Sequence, residues 1–155
     1  MSTTIKQLKR ILFSLLLPAT ITTTTPCQAQ TNTAQLPRQL RVASYNIQHG
    51  VGMDQKLDYK RIANVLENIN PDVVAVQEVD SMTHRTNNTY SLGDIADHMR
   101  YYASFSPAIS FDGGKYGIGI LSRKRPIRIE QHALPGREEA RTLLVAEFDD
   151  YVFAA

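Results

Sequence analysis

Apolar and polar positions divide the chain into short elements of changing period. Residues 40–47 alternate: Val42, Ser44 and Asn46 share one face, Ala43, Tyr45 and Ile47 the other, which predicts a strand. Gly50 and Gly52 interrupt the pattern in residues 48–56 and predict a loop with unusual dihedrals. Behind the N-cap residue Asp58, Ile62, Val65, Leu66 and Ile69 recur at helical spacing, until Asn70-Pro71 stops the helix. The uninterrupted run Val73-Val74-Ala75-Val76 follows and predicts a strand buried on both faces, over residues 73–78. It closes on a polar pair, Gln77-Glu78. Two strands joined by a helical crossover are expected to be neighbours in one sheet. Asn46 and Glu78 would then emerge at the same sheet edge, where open α/β folds bind ligands.

Beyond this unit, residues 80–89 form a polar stretch, read as a loop, that carries His84 and Arg85. Leu92, Ile95, Ala96 and Met99 predict a second, shorter helix, and residues 101–105 a strand. Asp112-Gly113-Gly114 is a turn signal between two further runs. The strand over residues 116–122 places Gly117 and Gly119 on one face, which weakens it unless another group approaches the backbone closely. A basic turn, Arg123-Lys124-Arg125-Pro126, leads to alternating strands over residues 127–134 and 142–148. From residue 101 onward the spacing is that of an antiparallel meander, and no internal repeat is present.

Composition narrows the class. A chain of 155 residues, 43% hydrophobic and 21% charged, fits at most one soluble globular domain. The net charge of +2 supplies no basic field of the kind that demands a nucleic-acid partner. A single cysteine, Cys27, excludes an intramolecular disulfide. The amino terminus carries Lys6, Lys9 and Arg10 without an acid, then the short apolar run of residues 11–17, then Cys27-Gln28-Ala29, with small residues at the −3 and −1 positions of a cut after Ala29. This is the order of a secretory signal peptide, and the apolar run is too short to span a bilayer. The expected organisation is a signal peptide over residues 1–29, a linker over 30–39 and a folded domain over 40–155, in a secreted or periplasmic protein. Lipoprotein acylation at Cys27 is the weaker reading, because Thr24-Thr25-Pro26 is not a small apolar context.

The chemistry centres on Glu78. A carboxylate at the mouth of a buried strand is costly unless it is paired, hydrated or bound to a metal. The simplest account is that Glu78 is the first solvated residue past the strand. Of the four histidines, His98 follows Asp94 by one helical turn and reads as solvated, and His132 on an alternating strand reads as structural. His49 and His84 fall in loops at the edge that carries Asn46 and Glu78, and are candidate substrate contacts.

Three stretches taken together resemble one family: Ser44-Tyr45-Asn46-Ile47, Val76-Gln77-Glu78-Val79, and Gly117-Ile118-Gly119-Ile120-Leu121-Ser122-Arg123. The pattern is similar to that of the endonuclease/exonuclease/phosphatase superfamily, with its DNase I-like fold, and Glu139-Ala140-Arg141-Thr142-Leu143 matches its next strand. The Gln-Glu pair is the most specific element. The resemblance implies an α/β fold, the amino-terminal half of a four-layer sandwich of two mostly antiparallel sheets flanked by helices. It implies a metal-dependent phosphoesterase of the nuclease, lipid or small-molecule type, with Glu78 and Asn46 as catalytic and metal-site residues. Mg²⁺ or Mn²⁺ is the implied cofactor, because such hard cations take one or two carboxylates plus water and substrate phosphate. Arg141 and Arg85 are the candidate phosphate contacts, through bidentate hydrogen bonds. The partner is a phosphoester, whether nucleic acid, lipid or small molecule; no specific protein partner is implied.

The sequence also departs from the family pattern. After a strand such as Tyr151-Val152-Phe153 the family continues with His-Leu, Gly-Asp-x-Asn and Ser-Asp-His segments, which supply the base and its orienter. None is present here. The expectation is a truncated site, with a sheet left partly uncovered and little activity from these residues alone. The alternatives are a non-catalytic remnant or binding module of the same fold, and an unrelated α/β binding domain sharing short motifs by chance.

Overall fold

The computed structural model describes residues 39–136 and 139–155; the expected signal peptide, Cys27 and nearly all of the linker lie outside the described residues. The first sheet has the order β1-β2-β4-β3, from β1 (Val42–Asn46), β2 (Val73–Ser81), β3 (Tyr102–Phe111) and β4 (Gly114–Ser122). The second has the order β5-β6-β7, from β5 (Arg128–Leu134), β6 (Arg141–Glu147) and β7 (Val152–Ala154). Two helices, α1 (Tyr59–Ile69) and α2 (Ser91–Met99), cover the outer face of the first sheet. This is the expected α/β architecture of two sheets with flanking helices. Among the described residues no helix is long and apolar enough to cross a membrane.

The β1–α1–β2 unit forms as its pattern predicts. β1 and β2 are parallel, with Val42 opposite Val73 and Asn46 opposite Gln77. Asp58 caps α1 by accepting the Arg61 N–H at 2.9 Å, and Asn70 ends it in the left-handed region at φ 52°. The buried stripe of α1 is Tyr59, Ile62, Ala63 and Leu66, whereas Val65 and Ile69 are 41% and 44% exposed. The expected stripe is thus rotated: small Ala63 lets the helix approach the neighbouring core closely, and the larger aliphatics lie at its margin.

Alternation along β2 separates two cores. Val74 and Val76 pack with Leu66, Leu92, Ile95 and Leu121 under the helices. Val73 packs with Ile120, Leu144, Ala146 and Phe148 between the sheets. The sheets are further tied by Ser106 Oγ and Thr142 Oγ1 at 2.6 Å, and by the Gln131 Nε2–H donating to Phe105 O at 2.9 Å. The second sheet therefore covers the first on its β3/β4 side. Apolar strand residues stay exposed on both sheets: Val42 is 51% exposed at the β1 edge, and Val152 and Leu134 on the second sheet are 64% and 41% exposed.

Three strand expectations need correction. β3 is twice the expected length because Pro107 does not end it; a register shift between Pro107 and Ile109 absorbs the missing donor. The elements after residue 101 are not one meander. β3 and β4 form a hairpin around Asp112-Gly113 (φ 44° and 81°), with β4 inserted beside β2, and the chain then crosses to the second sheet. Finally, β2 continues past Glu78 to Ser81, so Asp80 is a strand residue and not part of a loop.

The glycine face of β4 has its close neighbours. A Cβ at Gly117 would collide with the backbone carbonyl of Ser106 and with Pro107, and one at Gly119 with the Leu92 side chain. Gly117→Ala is expected to lose about 1–3 kcal/mol of stability in urea unfolding, because backbone cannot yield as a side chain can. A loss smaller than that of Gly119→Ala would contradict this packing.

Candidate active site

The site begins with one extra residue in β2. Val76 pairs with Gly119 and Val79 with Gly117, so three steps along β2 face two along β4. Glu78 occupies this bulge at φ 57°, in the left-handed region that costs a non-glycine residue about 1–2 kcal/mol. The bulge changes the parity of the strand. Val76 and Val79 both reach the core under the helices, and Glu78, which strict alternation would bury beside Val76, is only half-buried.

The neighbouring strand end fixes this carboxylate. The Asn46 Nδ2–H donates to Glu78 Oε1 at 2.6 Å, while Asn46 Oδ1 accepts the Gln48 N–H at 3.0 Å. The second bond sets which end of the amide faces Glu78. The following turn, Gln48–Gly50, holds Gln48 and His49 at φ 45° and 46°. Tyr59 anchors it from behind: its Oη–H donates to His49 O at 3.3 Å and accepts from Ser91 Oγ at 2.7 Å. Three of the ten non-glycine residues with positive φ among the described residues, Gln48, His49 and Glu78, lie at the Asn46–Glu78 edge; the others include helix caps and turns.

Glu78 opens into a pocket of 330 Å³. Gln48, His49, Arg85 and Glu139 line it with Glu78; Ile109, Phe111 and Tyr116 form an apolar wall. A larger hollow of 780 Å³ lies at the far end of β1 and β2. Its cations are engaged in structure, with Arg41 donating to Ile69 O at 2.9 Å and Arg123 to the Tyr101 Oη at 3.0 Å.

Arg85 is held by Asp80. Its Nε–H and Nη2–H donate to Asp80 Oδ2 and Oδ1 at 2.6 and 2.7 Å, and its Cζ lies 4.4 Å from the centre of the Phe111 ring. Burial alone would push the Asp80 carboxyl up, but hydrogen bonds from Arg85 and Thr83 and the guanidinium charge outweigh it and hold Asp80 below the usual range. Burial, assisted by the Arg85 charge, lowers the pKa of His49 against the opposing pull of Asp80 and Glu78. Imidazole there is neutral at pH 7. Burial raises the Tyr116 phenol, and Glu78 and Glu139 raise it further.

Of the residues singled out by sequence, Asn46, Glu78, His49 and Arg85 come together. His84 is exposed and packs on the β3–β4 turn, its Nδ1 3.4 Å from Asp112 Oδ1. Arg141 is an exposed residue at the start of β6, opposite Leu134, and does not line the pocket. Sequence reasoning missed Asp80, Tyr116 and Glu139. For Asp80 a signal existed: an acid two residues beyond Glu78, five before an arginine.

Among the described residues no group of three or more His, Cys, Asp or Glu side chains could hold a metal ion. A cation held by the side chains of this site would take the rest of its coordination from water or other oxygens. The site fits a hard cation that keeps most of its waters: Glu78 offers a half-buried carboxylate, and Asn46 Oδ1 retains one acceptor position after binding Gln48. Asp80 is unsuited, with its oxygens taken by Arg85 and Thr83.

The model of the Endonuclease/Exonuclease/phosphatase family matches residues 43–153. Among solved structures, the chain is similar to an endonuclease/exonuclease/phosphatase from Beutenbergia cavernae DSM 12333, with a TM-score of 0.59 at 21% identity over 75% of this chain and 37% of that one. A family protein from Leptotrichia buccalis C-1013-b gives a TM-score of 0.57 at 13% identity, over 75% of this chain and 53% of that one. A mannosyl-6-phosphatase from Bacteroides thetaiotaomicron VPI-5482 gives 0.52 at 18% identity, over 75% and 49%. These likenesses show the fold, and the chain spans from 37% to 53% of the length of these structures. No curated protein sequence matches.

Proposed function

The chain belongs to the endonuclease/exonuclease/phosphatase family, and from that premise we propose that its pocket is part of a divalent-metal-dependent phosphoesterase site. One observation carries the reading: Glu78 is held in a strained conformation at a strand bulge, with its carboxylate fixed by Asn46 at 2.6 Å. A structure sustains such strain where geometry matters to function. Glu78, with Asn46 beside it, would hold Mg²⁺ or Mn²⁺, which when bound stabilises charge on the phosphoryl oxygens. Asn46 keeps the carboxylate in one orientation. Arg85 binds oxygens of the phosphate that are not displaced. Neutral His49 exchanges hydrogen bonds with the substrate or its water at the rim. Ile109, Phe111 and Tyr116 receive the organic part of the ester. The amino-terminal pattern of basic, apolar and small residues supports action outside the cytoplasm.

A non-catalytic binding module of the same fold is the second reading. It is favoured by the lack, among the described residues of the pocket, of a carboxylate hydrogen-bonded to the His49 ring, which general-base catalysis would use as an orienter.

Mn²⁺ titration followed by water-proton relaxation tests the proposal. The chain is expected to bind Mn²⁺, and Glu78→Ala to weaken binding about tenfold or more, since Mg²⁺-type sites rest on one or two carboxylates. Binding that is absent, or indifferent to Glu78→Ala, overturns the metal site. Mn²⁺-dependent hydrolysis of bis(4-nitrophenyl) phosphate, abolished by the same substitution, separates the enzyme from the binding module.

A further inference from the structure

The Asp80–Arg85 pair is more constrained than an ordinary ion pair. Asp80 is wholly buried. Besides the two bonds from Arg85, its Oδ2 accepts the Thr83 hydroxyl at 2.6 Å, and Thr83 Oγ1 lies 2.8 Å from Thr86 Oγ1, with both threonines buried. The Arg85 backbone N–H donates to Asp112 Oδ2 at 2.7 Å, and Phe111 and Tyr116 flank the guanidinium at 4.4 and 5.6 Å. Arginine gives up about 2 kcal/mol of rotamer entropy when held this way. Stability alone is a weak reason for such a pair, because buried ion pairs often do no better than well-packed apolar residues.

The pair does leave something unused. Asp80 takes the Nε and Nη2 edge of the fork, and among the described residues Nη1 has no hydrogen-bond acceptor. The side chain is 32% exposed and lines the pocket with Glu78 and His49. An arginine gripped from behind by a carboxylate, with its remaining donors at a pocket wall, is a preorganised oxyanion receptor.

We infer that Asp80 is a positioning residue: through Thr83 and Thr86 it is itself fixed, and it locks Arg85 in the single orientation that receives the phosphate oxygens of the substrate. This rests on the phosphoesterase reading of the same pocket. Asp80 touches no substrate and acts through Arg85.

The test uses the full chain with inorganic phosphate as the probe, in Mg²⁺-containing buffer. In the wild type the Arg85 Nε–H resonance is expected to exchange slowly with solvent and to shift as phosphate is titrated. Asp80→Asn is expected to weaken phosphate binding by about tenfold or more, the loss of one charge-assisted hydrogen bond. In an Arg85→Lys background, which has no fork to orient, the same substitution is expected to change phosphate affinity little. A folded Asp80→Asn variant with unchanged phosphate affinity overturns the inference and leaves the phosphoesterase reading standing. A wild-type chain that binds no phosphate overturns both. If Asp80→Asn fails to fold, the wild-type resonance decides: a shift with phosphate supports the inference, and its absence at saturating phosphate overturns it.

Discussion

Arg85→Ala is expected to destabilise the fold by about 3–5 kcal/mol at neutral pH, as read by urea denaturation. The size follows from what is left behind. Asp80 is wholly buried, and the substitution removes two of its hydrogen bonds and its counter-charge, leaving Thr83 as its donor. A buried carboxylate without a counter-charge either stays ionised at high cost or takes up a proton.

The pH dependence has a definite sign. In the wild type the Asp80 pKa is held below its unfolded value, so the pair contributes stability above the unfolded pKa that is lost as pH falls through the folded one. In Arg85→Ala, burial dominates and the folded pKa rises above the unfolded one. The variant then binds a proton on folding, and its stability falls as pH rises through the folded pKa. The gap between the two proteins should therefore close on acidification towards pH 4 and open towards pH 7. A gap that is constant across this range would mean that Arg85 matters by packing on Phe111, not by pairing with Asp80.

The same pair marks where sequence reading stops. The β1–α1–β2 unit was legible because each part is local: an alternating strand, a capped helix, an apolar run and a proline stop. The meeting of Asn46 and Glu78 followed from the parallel crossover, and their hydrogen bond at 2.6 Å agrees with it. The bulge was not legible. Strict alternation places Val76, Glu78 and Asp80 on one face, and nothing local says that an extra residue intervenes to return Val79 to the core. The opposing register, set by Gly117 and Gly119 on β4, decides it. Phe111, Tyr116 and Glu139 were hidden for the same reason: each reaches the pocket through pairings made far along the chain. The error in α1 has another origin. Val65 and Ile69 are more hydrophobic than Tyr59 and Ala63, but close approach favours the small residue, and tyrosine had a polar partner to reach in Ser91.

Because the bulge holds Glu78, it also predicts an unusual order of stabilities. Glu78→Gly is expected to be more stable than Glu78→Ala by about 1 kcal/mol, although both lose Mn²⁺ binding. The two variants remove the same carboxylate and the same hydrogen bond from Asn46. They differ only by a Cβ at φ 57°. Glycine adopts that conformation freely, whereas alanine pays about 1–2 kcal/mol for it, offset in part by the greater entropy of glycine in the unfolded chain. At an ordinary strand position the order is reversed. Ala75→Gly, three residues earlier on β2 and buried, supplies the internal control and should destabilise the protein by about 0.5–1 kcal/mol or more. Thermal unfolding of the three variants measures both signs in one series. Should glycine prove the less stable residue at position 78 as well as at 75, the left-handed bulge would not be a feature of the folded protein in solution. The geometric argument for a metal-holding Glu78 would then lose its support. If the signs differ as expected, the fold spends stability at position 78 in favour of a carboxylate where glycine would be the unstrained choice, and a role in binding accounts for that.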